Sequence, residues 1–388
     1  MSRVATLSPP SRSKVPTLDR SLFLVALFLS VCGVIAVYSS ISFLADTRAG
    51  GNTEKFLVLH ISKVVLALVA MVIVSRIDYR RIAGWSKWIL IAAIGLLVAA
   101  KLVGVTSGGA SRWLSIGGLV FQPSEIARVA LIVYLSILLV RKQEYIKSFR
   151  RAFLPLFFWM VGTVALIGSE DLSTAALVLA SALTMCVVGR VSIVHLGGLC
   201  VLAIGLATLL LMLSPGRAAR IEAHLGVKIF PHTNSEEVFS AQDEGFQAQQ
   251  ARIAIANGGL LGVGPGKSTQ KVFLPAPYND FIFAVAAEEF GLVGALVLLG
   301  AFALILFRGM LRVARGAIDP LGLLMAVGLT AMLTLYGFVH AGVASGLLPV
   351  TGLPMPFVSY GGTAMVSNGI LVGLLLSISR YRMAERRT

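Results

Sequence analysis

Residues 22–44 read LFLVALFLSVCGVIAVYSSISFL, a run with no charged side chain. About 20 apolar residues wound as a helix cross a hydrocarbon core about 30 Å thick, so this block is read as a membrane span. It is too long for the apolar core of a secretory signal and no small-residue cleavage site follows it, which makes it a retained first span. Blocks of the same kind recur at about 56–75, 85–104, 123–140, 152–168, 172–189, 192–213, 281–307, 320–345 and 360–379. The expected fold is an all-α integral membrane protein of about ten transmembrane helices.

Composition agrees. Of the 388 residues 57% are hydrophobic and only 13% charged, with a mean hydropathy of +0.87, whereas ordinary soluble domains carry about a quarter charged residues. A soluble multidomain protein is excluded. The net charge of +15 lies in short clusters between apolar blocks and not on one soluble face, so no nucleic-acid partner is expected.

The clusters orient the spans. With the N-terminus in the cytoplasm, internal connections hold Arg76, Arg80, Arg81 and Lys87, then Arg141, Lys142, Lys147, Arg150 and Arg151, then Arg190, then Arg308, Arg312 and Arg315. Arg380, Arg382, Arg386 and Arg387 fall on the same side, as the positive-inside rule requires for an even number of spans. The chain therefore divides into a basic cytoplasmic tail (1–20), one ten-helix membrane domain (21–380) and a second basic cytoplasmic tail (381–388).

One extracytoplasmic loop, 214–279 between spans 7 and 8, is long, and loops of that length are uncommon unless functional. It carries a polar run from His232 to Glu244. Within it Gly245 to Asn257 is helix-permissive, and a weak apolar stripe of Phe246, Ile253 and Ala254 suggests a segment lying on the membrane surface or re-entering it. Two other outer connections, 106–122 and 346–362, are rich in glycine and aromatic residues. Cys32, Cys186 and Cys200 lie apart inside apolar blocks and signal neither a disulfide framework nor a metal site.

Ionisable groups beside or within spans are expensive and are functional candidates by default. The main set is Lys63, Glu125, Arg128, Glu170, Asp171, Asp280, Glu288 and Glu289. Glu125 and Arg128, at i and i+3 after Pro123, share one helical face, as a structural ion pair or as substrate contacts. Asp280 begins a Phe-rich span, where it serves either as a general base or as a helix N-cap. Glu288 and Glu289 lie two turns deeper, and Glu288 and Asp280 share roughly one face. Both glutamates read as supports for buried Arg, Ser or Asn groups. The string GVGPGKST (262–269) lacks the first glycine of a phosphate loop, since Leu261 stands there, although Lys267 and nearby amides remain able to meet an anionic head group.

Several strings together resemble the SEDS family of shape, elongation, division and sporulation proteins. They are SRWL (111–114), FQPSEIAR (121–128), EDLSTA (170–175), FQAQQARIAIANGGLLGVG (246–264), FLPAPYNDFIFAVAAEEFG (273–291) and GLLPVTGLPMPFVSYGG (346–362). The resemblance runs over nearly the whole chain after Arg20, and GVGPGKSTQK is closer to the division-type, FtsW-like branch than to the RodA-like branch. Departures are Asn279 for a usual Thr, Arg128 for Lys, Glu170 for Pro, and His340 and Ala344 where Asn is common.

The resemblance implies a peptidoglycan glycosyltransferase that polymerises lipid II at the outer face of the bacterial cytoplasmic membrane, with a class B penicillin-binding transpeptidase as partner. Other divisome or elongasome membrane proteins and membrane lipids are further expected partners. The family's catalytic aspartate falls on Asp280. Substrate contacts are expected at Arg112, Trp113, Glu125, Arg128, Gln247, Gln250, Lys267, Ser359 and Gly361, with support from Glu288, Glu289 and Asp171. Mg²⁺ or Mn²⁺ is a family-level expectation without a metal motif in the sequence. Rival readings are a lipid II flippase and a non-catalytic scaffold.

Overall fold

The computed structural model describes residues 18–48, 53–107, 110–116, 119–213, 215–225, 227, 235–274 and 276–381. Most of both expected basic tails lies outside these residues, as do 232–234 of the polar run.

Twelve α-helices are described: α1 (Arg20–Arg48), α2 (Thr53–Arg76), α3 (Tyr79–Val103), α4 (Pro123–Arg141), α5 (Leu154–Glu170), α6 (Leu172–Val188), α7 (Ile193–Met212), α8 (Pro215–Leu225), α9 (Ser235–Gly258), α10 (Ile282–Phe307), α11 (Pro320–Ala344) and α12 (Thr363–Arg380). Nine of them are long and apolar enough to cross a membrane, and α6, apolar but with 17 residues, is the tenth of the expected series. The protein is a multi-pass membrane protein. Local chemistry sets the helix starts. Asp78, Asp171 and Asp319 accept hydrogen bonds from the backbone N–H groups of Arg80, Thr174 and Gly322, and Pro123 and Pro320 occupy first-turn positions that need no N–H donor.

The spans are buried unequally. In α4 and α11, 83% and 78% of the apolar window is buried, against 11% in α7, so α4 and α11 form the centre and α7 the rim. α2 and α12 run side by side in the same direction, with Gly369 against the Ala67 backbone and Gly373 against that of Met71. At the end carrying the basic clusters, Arg80 pairs with Asp319 at 2.6 Å, Tyr79 Oη donates to Asp319 at 2.8 Å and Asp19 meets Arg308 at 3.7 Å, tying α1, α3, α10 and α11 together.

The opposite end departs from expectation in two places. The connection 106–122 holds a small antiparallel sheet, β1 (Val105–Ser107), β2 (Ala110–Ile116) and β3 (Leu119–Phe121), in the order β1-β2-β3. Val105, Trp113, Ile116 and Val120 suit such strands. The apolar stripe expected on 245–257 is met at Ala254, which is buried, and at half-buried Ile253, but not at Phe246. Ala251, Ala254 and Gly258 are the buried positions of α9, at helical spacing, while Phe246 is exposed. Small residues form this face because α9 packs closely on α10.

α10 is broken at Gly291, whose φ of +67° and ψ of −167° lie outside helical space. The loop after α9 repairs the break. Val263 and Gly264 N–H groups donate to the freed carbonyls of Glu288 and Glu289, each at 3.0 Å, and Leu292 and Val293 donate to the carbonyls of Gly259 and Leu260. Backbone at membrane depth must be satisfied within the protein, and here one loop satisfies both sides of the interruption.

Candidate active site

Asp280 ends a run of turns that delivers the chain into α10. Its N–H and that of Asn279 both donate to the Ala276 carbonyl at 3.1 Å, and the N-cap position of α10 falls on Phe281, not on Asp280. Asp280 is half-buried, its Oδ1 shielded from solvent, and its carboxylate faces a turn at Gly352, where φ is +66° and an added Cβ would lie 3.9 Å from Oδ2. Only a residue that tolerates left-handed backbone allows this approach without strain.

The 346–362 segment is bonded to the Asp280 turn. Ser359 Oγ donates to the Asn279 carbonyl at 2.8 Å and accepts from the Met355 N–H at 2.7 Å, while the Tyr360 N–H donates to the Tyr278 carbonyl at 2.9 Å. Two further ties position the segment. Buried His340 Nδ1 lies 2.7 Å from the Leu353 carbonyl, and Arg252 of α9 donates to the Gly346 carbonyl at 3.2 Å.

Tyr360 has a second set of partners on α2. Lys63 Nζ donates to its hydroxyl at 3.1 Å and sits 4.2 Å from its ring centroid, and the buried His60 ring stacks on it at 5.4 Å. Lys63 stands at the mouth of a groove of about 600 Å³ walled by α2, α3, α4 and α12. Leu66, Ile82, Val129, Ile370 and Leu374 make its length apolar, and Glu125, Thr363 and Ser367 also line it. From Thr363 to Leu374 the helical rise is about 16 Å.

Glu125 and Arg128 form an ion pair at 2.5 Å, with side chains 6% and 2% exposed. Arg128 also donates to Asn368 at 2.8 Å and to Ser367 at 3.3 Å, and its guanidinium lies 4.5 Å over the Tyr336 ring. Of the two roles expected for this pair, these contacts belong to the structural one. Arg128 Nη2 is directed at Glu125 of α4 and at Ser367 and Asn368 of α12, and the guanidinium lies over Tyr336 of α11, as a buried cation needs neutralisation inside the bundle. Glu125 lines the groove while paired with that cation.

The glycine loop at 262–272 binds an anion of its own. The Glu288 carboxylate accepts from the Ser268 and Thr269 hydroxyls, from the Thr269 and Gln270 N–H groups at 3.3 Å, and from Asn257 at 3.5 Å. The amides of residues 269 and 270 are thus taken by Glu288, and that of Lys267 donates to the Gly264 carbonyl at 3.2 Å. Lys267 itself is exposed. Lys271 is buried and donates to the Ser39 and Gly266 carbonyls, and Ser39 in turn donates to Glu289.

Of the remaining expected residues, Gln247 and Gln250 lie half-buried on α9 and Trp113 half-buried on β2, beside Arg112, whose side chain lies outside the described residues. Gly361 precedes α12, and Asp171 caps α6. His60, Tyr278, Arg252 and His340 were not among the expected site residues. Lys63 was signalled only as a charge within a span. Among the described residues no group of three His, Cys, Asp or Glu side chains is placed to hold a metal ion, so the donors present do not build a protein-held site for the expected Mg²⁺ or Mn²⁺.

The arrangement can be set beside known proteins. Residues 19–384 match the cell cycle protein family FTSW_RODA_SPOVE. The chain is 34% identical over 367 residues to stage V sporulation protein E of Bacillus subtilis, covering 94% of this chain and 97% of that one. It is 36% identical over 365 residues to a probable peptidoglycan glycosyltransferase FtsW of Geobacter metallireducens, covering 93% and 94%. Among solved structures it is similar to a chain of a peptidoglycan synthase complex that coordinates polymerization and crosslinking, with a TM-score of 0.73, 26% identity and coverage of 94% and 98%. The rod shape determining protein RodA of Thermus thermophilus shares the fold, with a TM-score of 0.67, 24% identity and coverage of 95% and 99%.

Proposed function

This chain belongs to the FTSW_RODA_SPOVE family of cell cycle proteins, and from that membership we propose that it is a peptidoglycan glycosyltransferase polymerising lipid II at the outer face of the bacterial cytoplasmic membrane. The observation that carries the chemistry is the placement of Asp280. Asp280 stands half-buried between the 276–281 turns and the Gly352 turn, and Ser359 and Tyr360 bond the two segments together.

One carboxylate suffices for this reaction. Asp280 takes the proton of the acceptor's 4-hydroxyl as that oxygen bonds to the anomeric carbon of the donor, and the bond from that carbon to the diphosphate breaks with its electron pair on the diphosphate. The sugar inverts, giving a β-1,4 link from an α-linked donor. Inverting glycosidases use a second carboxyl group to protonate their leaving group, whereas a diphosphate leaves as a stable anion. General-base catalysis by a positioned group contributes about 10² to 10⁴-fold in rate. The groove between α2, α3, α4 and α12 suits an isoprenoid chain, which needs an apolar path within the bilayer. A divalent cation here would be carried chiefly by the substrate's diphosphate, since Mg²⁺ uses one or two carboxylates beside phosphate oxygens, and no step is assigned to it.

The partner we propose is a class B penicillin-binding transpeptidase, supported by the likeness to a synthase complex that couples polymerization to crosslinking. The string GVGPGKSTQK supports a division role over elongation. Purified chain, purified transpeptidase and labelled lipid II in detergent test the reading, because no membrane remains to be crossed. Glycan polymer is the expected product; lipid II left intact under all conditions would favour transport instead.

A further inference from the structure

We propose that Lys63 is the cation that holds the diphosphate of the lipid-linked donor, with the donor's isoprenoid chain lying in the groove below it. This rests on the polymerase reading above. Lys63 sits inside the apolar helix α2, where a charge is costly unless something compensates it. Among the described residues no carboxylate lies within ion-pair distance of it. Its partners are the hydroxyl and the ring of Tyr360. Glu125 lines the same groove, but its charge is spent on Arg128. An uncompensated cation at the mouth of an apolar groove calls for an amphiphile with an anionic head.

The level of Lys63 in the bundle fits that occupant. Lys63 is one helical turn before Ala67, whose backbone meets Gly369 of α12, so it stands near the start of α12, where Gly362 and Thr363 line the mouth. Below it the walls are apolar. The groove therefore places a head group and a chain in the order that a polyprenyl diphosphate needs.

The same lysine is joined to the base. Tyr360, which Lys63 contacts through its ring and hydroxyl, is bonded through its N–H to the carbonyl of Tyr278, two residues before Asp280, and the two tyrosine rings meet edge to face at 5.6 Å. Base and leaving group must flank one anomeric carbon in an in-line displacement. Asp280 and Lys63 flank one tyrosine pair. A lysine ammonium, a compact charge on a flexible stem, can follow the diphosphate as it gathers charge.

The test uses full-length chain with its transpeptidase in detergent and measures two things: lipid II turnover, and displacement of labelled lipid II by undecaprenyl diphosphate or undecaprenyl monophosphate. Displacement needs no turnover. Wild type is expected to prefer the diphosphate. Lys63→Met should weaken diphosphate binding about ten-fold or more, the scale of a lost hydrogen bond to a charged group, and abolish that preference. Lys63→Arg should restore most of it, and Tyr360→Phe, which keeps the charge, should retain it. Wild-type preference in a monodisperse Lys63→Met protein overturns the proposal, as does equal loss in Tyr360→Phe, which would make Lys63 a mere support for the tyrosine. Lys63-dependent preference without any polymer would leave this site standing while the polymerase reading falls, and polymer without Lys63 dependence would do the reverse.

Discussion

Ser359 Oγ donates to the carbonyl of Asn279 at 2.8 Å, across a sequence separation of 80 residues. The residue that follows Asn279 is Asp280, so this hydroxyl, with the Tyr360 N–H on the Tyr278 carbonyl, holds the Asp280 turn against the 346–362 segment. Ser359→Ala would leave the Asn279 carbonyl and the Met355 N–H without their partner. Unsatisfied buried groups cost about 1–3 kcal/mol each. The expected result is a lowered Tm together with a larger fall in kcat than in lipid II binding, measured by thermal unfolding in detergent and by polymer yield. An unchanged kcat would detach the serine from the site.

Glu125 and Arg128 make a different prediction, because their pair lies inside the bundle. Removing one member of a buried pair costs about 3–5 kcal/mol, while replacing both by neutral groups of similar volume is often tolerated. Arg128→Met or Glu125→Leu alone should therefore unfold at lower temperature, and the double variant Glu125→Leu, Arg128→Met should recover much of the loss. Arg128→Lys should be intermediate, since it keeps the charge but loses the planar group whose Nη2 meets both Glu125 and Asn368 and whose face lies on Tyr336. Equal Tm values for single and double variants would show that the two side chains are not coupled in the fold.

How far the sequence carries this architecture follows from what each feature depends on. The spans were legible because a bilayer demands about 20 apolar residues per crossing, and α2, α4, α6 and α11 begin or end within a few residues of the expected limits. The Glu125–Arg128 pair was legible because i and i+3 share a helical face. Contacts between distant elements left no such trace. Lys63 and Tyr360 stand 297 residues apart, and neither residue type at either position announces the other. The glycine loop is a related case. Its amides do bind an anion, but Glu288 supplies it from a separate helix. The buried face of α9 runs through Ala251, Ala254 and Gly258, residues whose small size mattered more than their hydrophobicity.

Gly291 carries a prediction about the interrupted α10. An added Cβ would collide with the backbone of Leu260 and Gly262, and the positive φ is itself strained for other residues. Such strain costs about 1–3 kcal/mol. Gly291→Ala should break the four hydrogen bonds between 259–264 and 288–293, seen as faster amide hydrogen exchange across both segments. Wild-type protection in that variant would show that the loop does not depend on the break.

The central claim is that Asp280 is the base of a glycosyl transfer, and its most direct test compares wild type with Asp280→Asn in the purified complex with transpeptidase and labelled lipid II. Asparagine keeps the shape of the side chain and cannot take the proton. The expected outcome is a folded, partner-bound protein that still binds lipid II and forms no glycan strand, with a loss of at least about 10²-fold in rate. Polymerisation at the wild-type rate by Asp280→Asn would contradict the account.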